Sequence, residues 1–348
     1  MKTITLEQQY KTYKEAHPKA RIRDISIALG VSEMELLEIA TVEKRTYLGN
    51  NFKGVLGDAH TLGHVMALTR NEHAVHETKG IYENVSFMEK APMGIAHNPM
   101  IDLRYFLSNW AHVYAVVFES GKRRMHSLQF FDKSGNAVHK IYTTAQSDLE
   151  AYEVLVEKYQ TGDRINMPVE AETVQPSAKT DQALDIGAFQ TAWLNMKDTH
   201  DFFGLLRKYS LTRQAAFCIA PQGTTYRVEK KAIVAMLEMA VASGTPIMVF
   251  LGNKSCLQIF SGKIHKLVEM NGWYNVLDKD FNLHLKLEAI EEAWVVKKYT
   301  TDGIVTSLEL FDKEGNQILY CFGQRKPGIP ELEMWRTIVS KLTPLNDQ

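Results

Sequence analysis

The stretch Ser-Leu-Gln-Phe-Phe-Asp-Lys-Ser-Gly-Asn at residues 127–136 returns as Ser-Leu-Glu-Leu-Phe-Asp-Lys-Glu-Gly-Asn at residues 307–316, with seven of ten positions identical. The same offset of 180 residues aligns Ile101–Arg104 with Phe281–His284, and it aligns the helical stretches near the end of each half. An offset that keeps similar segments in step along both halves indicates two copies of one domain. The period is far too long for a solenoid, so we expect a tandem duplication.

The order of elements within one copy predicts the fold class. Helices come first, and in the first copy they are expected at Leu6 to Ala16, Asp24 to Leu29 and Ser32 to Ala40, where Ser32 and Glu35 form a capping box. Strands rich in Val, Ile, Phe and Tyr follow, at residues 65–69, 74–78, 113–119, 127–131 and 138–142. The Asp-Lys-x-Gly-Asn segments at 132–136 and 312–316 are expected to form hairpin loops. A closing helix is expected at residues 148–159, with its counterpart at 330–342. This order predicts an α+β fold, a tandem duplication of a domain with an antiparallel β-sheet flanked by helices.

The boundary between the copies is expected in the polar stretch 161–185, which contains Pro168 and Pro176 and shows no sustained periodicity. We interpret this stretch as a linker between a first copy at residues 1–160 and a second copy at residues 186–348. The second copy starts with a helix whose apolar side chains share one face, namely Phe189, Trp193 and Met196.

Composition narrows the class of protein. The chain has 348 residues, 45% of them hydrophobic and 23% charged, with a net charge of −1. A near-neutral chain lacks the long-range attraction on which non-specific nucleic-acid binding depends, so nucleic acid is an unlikely partner. We find no apolar run long enough for a signal peptide or a membrane span. The cysteines, Cys218, Cys256 and Cys321, are far apart, and a cytoplasmic location is therefore expected.

Residues 196–213 combine one histidine, His200, with aromatic and aliphatic neighbours and with cations a turn or two away. A flat, apolar, anionic cofactor with a metal at its centre needs this mixture: an imidazole for the metal, apolar side chains for the ring and positive charge for its carboxylates. The alternative is that His200 is an ordinary packed or capping residue at a helix start.

Several motifs together resemble the cytoplasmic haem-uptake proteins of Gram-negative bacteria, the HemS, ChuS, ShuS and PhuS family of haemin-degrading or haemin-transport factors. The motifs are Leu68–Glu77, Ile101–Arg104, the stretch from Trp193 to His200, and Phe322–Arg325. The resemblance covers essentially the whole chain, including its duplication. It implies that the protein binds haem as its cofactor, at a site in the second copy.

The resemblance also implies roles for individual residues. It makes His200 the proximal ligand of the haem iron and Arg104 a distal, catalytic arginine. Because a guanidinium has no free lone pair, Arg104 is expected to act by donating hydrogen bonds. Further cofactor-binding residues implied by the resemblance are Arg213, Lys298, Arg325, Phe250, Met248 and Phe322. Some members of the family carry a tyrosine where this chain has Phe322.

Two functions share such a site. The first is a haem-binding protein of bacterial haem uptake that sequesters haem and cleaves it oxidatively to release iron. The second is a non-enzymatic haem chaperone that passes haem on. Residues 56–60 and 244–246 do not form dinucleotide-binding loops, so cleavage requires an external electron donor. The expected partners are a reductase or haem acceptor protein and an inner-membrane haem ABC transporter.

Other interpretations stay open at this point. Residues 21–35 resemble a helix-turn-helix DNA reader, but the second helix carries Glu33, Glu35 and Glu38, which phosphates would repel. A histidine cluster at His60, His64, His73 and His76 lacks the spacing of a helical zinc site, and we interpret these side chains as solvated or packed. His284 aligns with Arg104, either as an equivalent ligand or as a packed residue.

Overall fold

The computed structural model describes residues 4–18, 20–40, 44–121, 123–162, 169–170, 184–326 and 328–345. Most of the predicted linker, residues 163–168 and 171–183, lies outside the described residues. Within the described part of the chain, no helix is both long enough and apolar enough to cross a membrane.

Contacts divide the chain into two compact units. Unit 1 comprises Met1–Thr69, Thr78–Thr173 and Asn253–Leu257. Unit 2 comprises Arg70–Glu77, Val174–Gly252 and Gln258–Gln348. Each unit therefore holds one copy of the duplicated domain together with a short segment from the other copy. Sequence similarity between the copies does not reveal such an exchange of segments.

Unit 1 contains an antiparallel meander flanked by helices. Its helices are α1 Leu6–Ala16, α2 Ile22–Leu29, α3 Glu33–Ile39, α4 Phe52–Asp58 and α5 Leu149–Tyr159. Its strands are β1 Lys44–Tyr47, β2 Gly63–Arg70, β3 Ala74–Gly80, β4 Ser86–Phe87, β5 Met93–His97, β6 Asp102–Phe106, β7 Trp110–Ser120, β8 Arg123–Asp132 and β9 Ala137–Ser147. Strand β3 begins within the segment that belongs to unit 2.

Unit 2 repeats the same order of elements. Its helices are α6 Ile186–Leu194, α7 Asp201–Tyr209, α8 Arg213–Cys218, α9 Ala232–Ser243 and α10 Glu333–Ser340. Its strands are β10 Thr225–Val228, β11 Ile247–Gly252, β12 Cys256–Gly262, β13 Leu267–Met270, β14 Trp273–Leu277, β15 Phe281–Lys286, β16 Glu292–Thr300, β17 Gly303–Phe311 and β18 Gln317–Gly323. The α+β class and the duplication predicted from the sequence are confirmed.

The repeated decapeptide forms the same structure in both units. In unit 1 it supplies the end of β8 and the turn into β9, where the Asp132 N–H donates to the Asn136 carbonyl at 3.0 Å. In unit 2 the Asp312 N–H donates to the Asn316 carbonyl, also at 3.0 Å. Both hairpins carry a register shift one residue before the loop, between Phe130 and Phe131 and between Leu310 and Phe311. The hairpin loop predicted from Asp-Lys-x-Gly-Asn is therefore confirmed in both copies.

Alternation along the strands fixes which face of each meander is buried. In unit 2 the residues Val249, Leu308, Leu310 and Cys321 are fully buried and pack with helices α9 and α10 in the main core. The next residues along the same strands point to the opposite face. That opposite face is covered in part by α6–α8, whose aromatic core contains Trp193, Phe202 and Phe217.

The helices of the first copy begin and end close to the predicted positions. Ser32 caps α3 by accepting from the Glu35 N–H at 3.2 Å, and the Glu35 carboxylate accepts from the Ser32 N–H at 2.9 Å. This confirms the predicted capping box. Glu33 is one of the acidic residues that we expected to repel a DNA phosphate. It is buried in unit 1 and forms ion pairs with Lys140 at 3.1 Å and Arg23 at 3.1 Å.

Candidate functional site

His200 lies in a tightly bonded turn between α6 and α7 of unit 2. One carboxylate oxygen of Asp201 accepts from the backbone N–H groups of Lys197 at 2.9 Å and Asp198 at 3.0 Å. The Asp198 carboxylate in turn accepts from the His200 N–H at 2.8 Å. His200 occupies the N-cap position of α7, but its side chain makes no capping hydrogen bond there.

The His200 ring is exposed, and one of its nitrogens is already engaged. Its side chain is 94% exposed, and Nδ1 contacts the Asp198 carboxylate. The pKa of Asp198 is lowered, chiefly because the His200 N–H donates to it, with smaller contributions from the His200 ring and from the charge of Arg325. A histidine held by a carboxylate at one nitrogen offers the other nitrogen, Nε2, to a metal.

Two paired strands of unit 2, β11 and β18, carry a shared face of aromatic and sulfur-containing side chains. Pairing across β11 and β18 sets Met248 opposite Phe322 and Phe250 opposite Tyr320. The Phe250 ring stacks on Tyr320, with centroids 4.8 Å apart, and meets Phe322 edge-on at 5.3 Å. Phe322 is 9% exposed. The face provides flat apolar surfaces that suit a flat apolar ligand.

Two cations lie on the same face and share one buried carboxylate. Lys298 Nζ donates to Glu309 at 2.8 Å, and Arg213 Nε donates to the other Glu309 oxygen at 2.9 Å. The Glu309 carboxylate also accepts from the side chains of Ser307 and Gln317, each at 2.8 Å. Because two positive charges face one negative charge, the cluster carries one net positive charge.

The cations also connect the face to helix α7. Lys298 Nζ lies 4.8 Å from the centroid of the Phe202 ring, and the Arg213 guanidinium lies 5.1 Å from it. Phe202 is two residues from His200 and is buried at the start of α7. The described contacts therefore join Arg213, Lys298, Met248, Phe250 and Phe322 into one group, with Phe202 linking them to the turn that holds His200.

Burial and charge act against each other at Glu309. Burial alone raises the pKa of this carboxyl, but Arg213 and Lys298, together with the hydrogen bonds from Lys298 and Ser307, outweigh it and lower the pKa to about 2. The pKa of Lys298 is lowered, first by burial and then by the charge of Arg213, although Glu309 raises it. Glu309 therefore stays ionised, and the group is held rigidly by charge-assisted hydrogen bonds.

Arg325 lies near the histidine turn and is already paired. Its Nη2 donates to Asp302 at 3.1 Å, and the Thr301 N–H donates to the Lys197 carbonyl at 2.9 Å. Arg325 therefore belongs to the charged surroundings of Asp198, as the pKa of that carboxyl also indicates. The ion pair with Asp302 was not predicted from the sequence.

Arg104 belongs to unit 1, on strand β6. Its guanidinium contacts the Asp102 carboxylate and donates to the Leu103 carbonyl at 3.1 Å, and its side chain is 33% exposed. Pairing between β5 and β6 sets Arg104 opposite Ile95. The apolar residues of this face remain unusually exposed, namely Met88, Met93, Ile95 and Phe106. An arginine within an exposed apolar face can donate hydrogen bonds to polar atoms of a ligand that the face binds.

Three histidines of the sequence cluster, His60, His64 and His76, are packed or hydrogen-bonded, and so is His284. His76 is fully buried, 5.0 Å from the Phe281 ring, and burial lowers its pKa to about 3. His284 Nδ1 lies 2.7 Å from the Asn275 amide oxygen, and its other nitrogen is 4.0 Å from Glu77. His60 and His64 bond to Gly57 and Thr144. The interpretation of these side chains as packed or solvated agrees with their positions.

The sequence did not point to Glu309 of unit 2, and it indicated Phe202 only as one of the aromatic neighbours of His200. Glu309 did leave a signal, because it is an acidic residue inside an apolar strand of the repeated decapeptide, where the first copy has Gln129. The acceptor next to the His200 ring is Asp198, two residues earlier in the chain.

Comparison with known proteins agrees with this architecture. The family model described as "Haemin-degrading HemS.ChuX domain" matches residues 30–159 and again residues 210–342. The hemin transport protein HmuS of Yersinia pestis is 38% identical over 343 residues, covering 97% of each chain.

Solved structures are similar over the same length. Holo-PhuS, a heme-binding protein from Pseudomonas aeruginosa, matches with a TM-score of 0.93 and 38% identity, covering 98% of this chain and 99% of that one. The heme degrading enzyme ChuS of Escherichia coli O157:H7 matches with a TM-score of 0.89 and 36% identity, covering 97% and 99%. With a family model that matches twice and relatives similar along nearly the whole chain, this protein belongs to the HemS/ChuX family of haemin-degrading domains.

Proposed function

We propose that this protein binds haem in the cytoplasm, with His200 of unit 2 as the axial ligand of the iron. The observation that carries the proposal is the His200–Asp198 pair: an exposed imidazole whose Nδ1 is held by a carboxylate. Neutral imidazole is a good ligand for haem iron, and a carboxylate at the far nitrogen orients the ring and raises its basicity. The names of the relatives, which include a hemin transport protein and a heme-binding protein, point to the same ligand.

The aromatic and cationic face of unit 2 fits the rest of a porphyrin. Phe250, Phe322 and Met248 offer apolar contacts to the ring, and the net positive charge of the Arg213–Lys298–Glu309 cluster attracts the propionates. Arg325, near Asp198, is a third cation, and it is paired with Asp302. An anionic, flat ligand is therefore favoured over a neutral or cationic one.

Ferric haem added to the purified protein tests the binding proposal. A stoichiometric Soret shift is expected, and it should change or disappear in the His200→Ala variant. The His265→Ala variant, in which another exposed histidine of unit 2 is removed, should bind like the wild type. A Soret band identical to that of free haem in the wild-type protein would refute the proposal.

For the fate of the haem, we propose oxidative cleavage with an external reductant, assisted by Arg104. Bound haem supplies the redox chemistry by which its own ring is opened. The contribution of Arg104 is a fixed positive charge and N–H donors that favour negative charge developing near them. The Asp102 carboxylate and the Leu103 carbonyl hold the guanidinium in place.

A haem carrier is the second candidate, and the name of the HmuS relative favours it. Ascorbate or a reductase, added to the haem complex under air with catalase present, separates the two. Loss of the Soret band with release of iron supports cleavage. A haem band that persists supports the carrier function. The next measurement is then the transfer of haem from this protein to an apo-acceptor protein.

A further inference from the structure

Three residues of unit 2 that are not among the haem-binding candidates bring metal-ligand atoms together. A nitrogen of His73 and carboxylate oxygens of Asp312 and Glu314 all lie within 4.8 Å of one another. This is the one such group of three found in the described residues. His73 comes from the first copy, in the segment that belongs to unit 2, and the acids come from the β17–β18 hairpin.

Asp312 is held in the orientation of a ligand. It is 5% exposed, and its Oδ1 accepts from the backbone N–H groups of Glu314 at 3.0 Å and Asn316 at 2.8 Å. The second oxygen, Oδ2, accepts from the Asn316 amide at 3.1 Å and faces His73 Nε2 at 3.3 Å. Ligating carboxylates are commonly fixed in this way by hydrogen bonds outside the metal.

His73 is anchored just as firmly through its backbone. Its N–H donates to the Asn71 side-chain oxygen at 3.0 Å, and its carbonyl accepts from the Lys286 N–H at 3.0 Å. The Asn71 amide donates to the carbonyls of Gly252 and Ile318, at 3.1 and 2.7 Å. The backbone of His73 and the carboxylate of Asp312 are therefore both held in place by hydrogen bonds.

The spacing suits a small transition-metal ion. Bonds of about 2.0–2.1 Å in a tetrahedral site set neighbouring ligand atoms roughly 3.3 Å apart, which is the separation of His73 Nε2 and Asp312 Oδ2. Glu314 is exposed on the hairpin loop, and its ion pair with Lys313 at 3.5 Å is exposed as well, so its carboxylate has room to close on an ion.

The first copy shows what the hairpin looks like without these ligands. Asp132 accepts from the backbone N–H groups of Ser134 and Asn136, as Asp312 does from Glu314 and Asn316. The position of Glu314 is taken by Ser134. In the turn of unit 1 that corresponds to Asn71–Ala74, the position of His73 is taken by Ser255. Unit 2 thus carries both extra ligands, one from each copy, where unit 1 has two serines.

We propose that His73, Asp312 and Glu314 bind one divalent first-row transition-metal ion, with water completing its coordination. One imidazole and two carboxylates suit Zn²⁺, Co²⁺, Mn²⁺ or Fe²⁺, whereas Mg²⁺ and Ca²⁺ prefer oxygen ligands alone. This site does not depend on the proposed haem function.

The test uses the full-length protein, free of haem and treated with a chelator. Zn²⁺ binding is measured by titration calorimetry, and Co²⁺ binding by its visible absorption, with Mg²⁺ in excess to suppress non-specific sites. One equivalent is expected to bind. His73→Gln and Glu314→Gln should each weaken binding by more than about tenfold. Replacing a residue that only supports a metal ligand already costs about that much, and these two residues are ligands themselves.

The matched control is His265→Gln, which removes another exposed histidine of unit 2 and should leave this equivalent unchanged. Glu314→Gln is the safer variant for folding, because its side chain is exposed. Wild-type protein that binds neither Zn²⁺ nor Co²⁺ stoichiometrically overturns the proposal. Undiminished binding in either ligand variant overturns it as well, and leaves His73 and Asp312 as an ion pair.

Discussion

The His200 ring contacts the Asp198 carboxylate through Nδ1, and the His200 backbone N–H donates to the same Asp198 oxygen at 2.8 Å. The two contacts fix both the position of the residue and the orientation of its ring. Because Nδ1 is engaged, Nε2 is the nitrogen that remains for an iron ion. The pair therefore behaves as one unit, and Asp198 should influence ligand binding without touching the ligand.

Asp198→Asn is expected to weaken haem binding by about 10- to 100-fold, the usual effect of removing a carboxylate behind a ligating histidine. Haem titration followed at the Soret band measures the change. In a His200→Ala background the same substitution should add little, because its effect acts through the ring. An additive loss in the double variant would show that Asp198 acts independently of His200.

Arg104→Ala is expected to change haem retention or turnover far more than folding. The side chain is partly exposed and its ion partner, Asp102, is a surface neighbour, so the free energy of unfolding should change by less than about 1 kcal/mol. Haem dissociation and ascorbate-driven loss of the Soret band are the measurements. Arg123→Ala, at an exposed arginine of the same unit, is the control. Equal behaviour of the two variants would remove Arg104 from the proposed function.

Glu309→Gln is expected to lower the free energy of unfolding by about 3–5 kcal/mol, because it leaves Lys298 and Arg213 without their shared counter-charge. Urea unfolding measures the loss. Glu291→Gln breaks an exposed ion pair with Lys230 and should cost less than about 1 kcal/mol. If the two variants are equally stable, the buried cluster contributes nothing to folding.

Asn71→Ala is expected to destabilise the protein by at least about 2 kcal/mol, since it removes four hydrogen bonds to backbone groups. These bonds tie the exchanged segment of the first copy into unit 2. Asn195→Ala, which removes one exposed bond to the Thr191 carbonyl, is the control and should cost less. Thermal unfolding measures the stability of both variants. A loss of stability in Asn71→Ala that is smaller than in Asn195→Ala would contradict the proposal that Asn71 ties this segment into unit 2.

Acid is expected to destabilise the fold through two buried histidines. Burial lowers the pKa of His76, and that of His139, to about 3, against an ordinary value of 6.5. Between these values the unfolded chain binds protons that the folded chain does not. The stability that the two histidines contribute is therefore complete above pH 6.5, and it is lost as the pH falls toward 3.

Between these two pH values, each buried histidine that stays neutral should add about 1.4 kcal/mol per pH unit to the slope of the free energy of unfolding against pH. Urea unfolding of the wild type and of His76→Leu at several pH values measures the slope. In the variant, the free energy of unfolding should depend less steeply on pH, by the slope that corresponds to one proton. His60→Gln, at an exposed histidine, should keep the full slope. An unchanged slope in His76→Leu would mean that His76 titrates normally in the fold.

Local patterns were enough to predict the regular elements. The alternation of β8 and β9, the Asp-Lys-x-Gly-Asn loop and the Ser32–Glu35 capping box are interactions between residues close in sequence, and the structure contains all three. Shorter elements, such as β5 and β6 around Arg104, were missed because strands of five residues leave too little periodicity to detect.

Contacts across the chain were beyond the reach of local patterns. Glu309 binds Lys298 from the neighbouring strand and Arg213 from a helix 96 residues away, and nothing near Glu309 in the sequence indicates either partner. The same holds for His73 and Asp312, which are brought together by the exchange of a segment between the copies.

The sequence by itself determined the duplication, the α+β class, the hairpins and the choice of His200 as a candidate, because these depend on repeated segments, short-range hydrogen bonds and motif resemblance. The tertiary structure decided which side chains share the face with Lys298 and Phe250 and which segment each unit exchanges. Those outcomes depend on strand register and on the burial of charges, which are set by packing between distant parts of the chain.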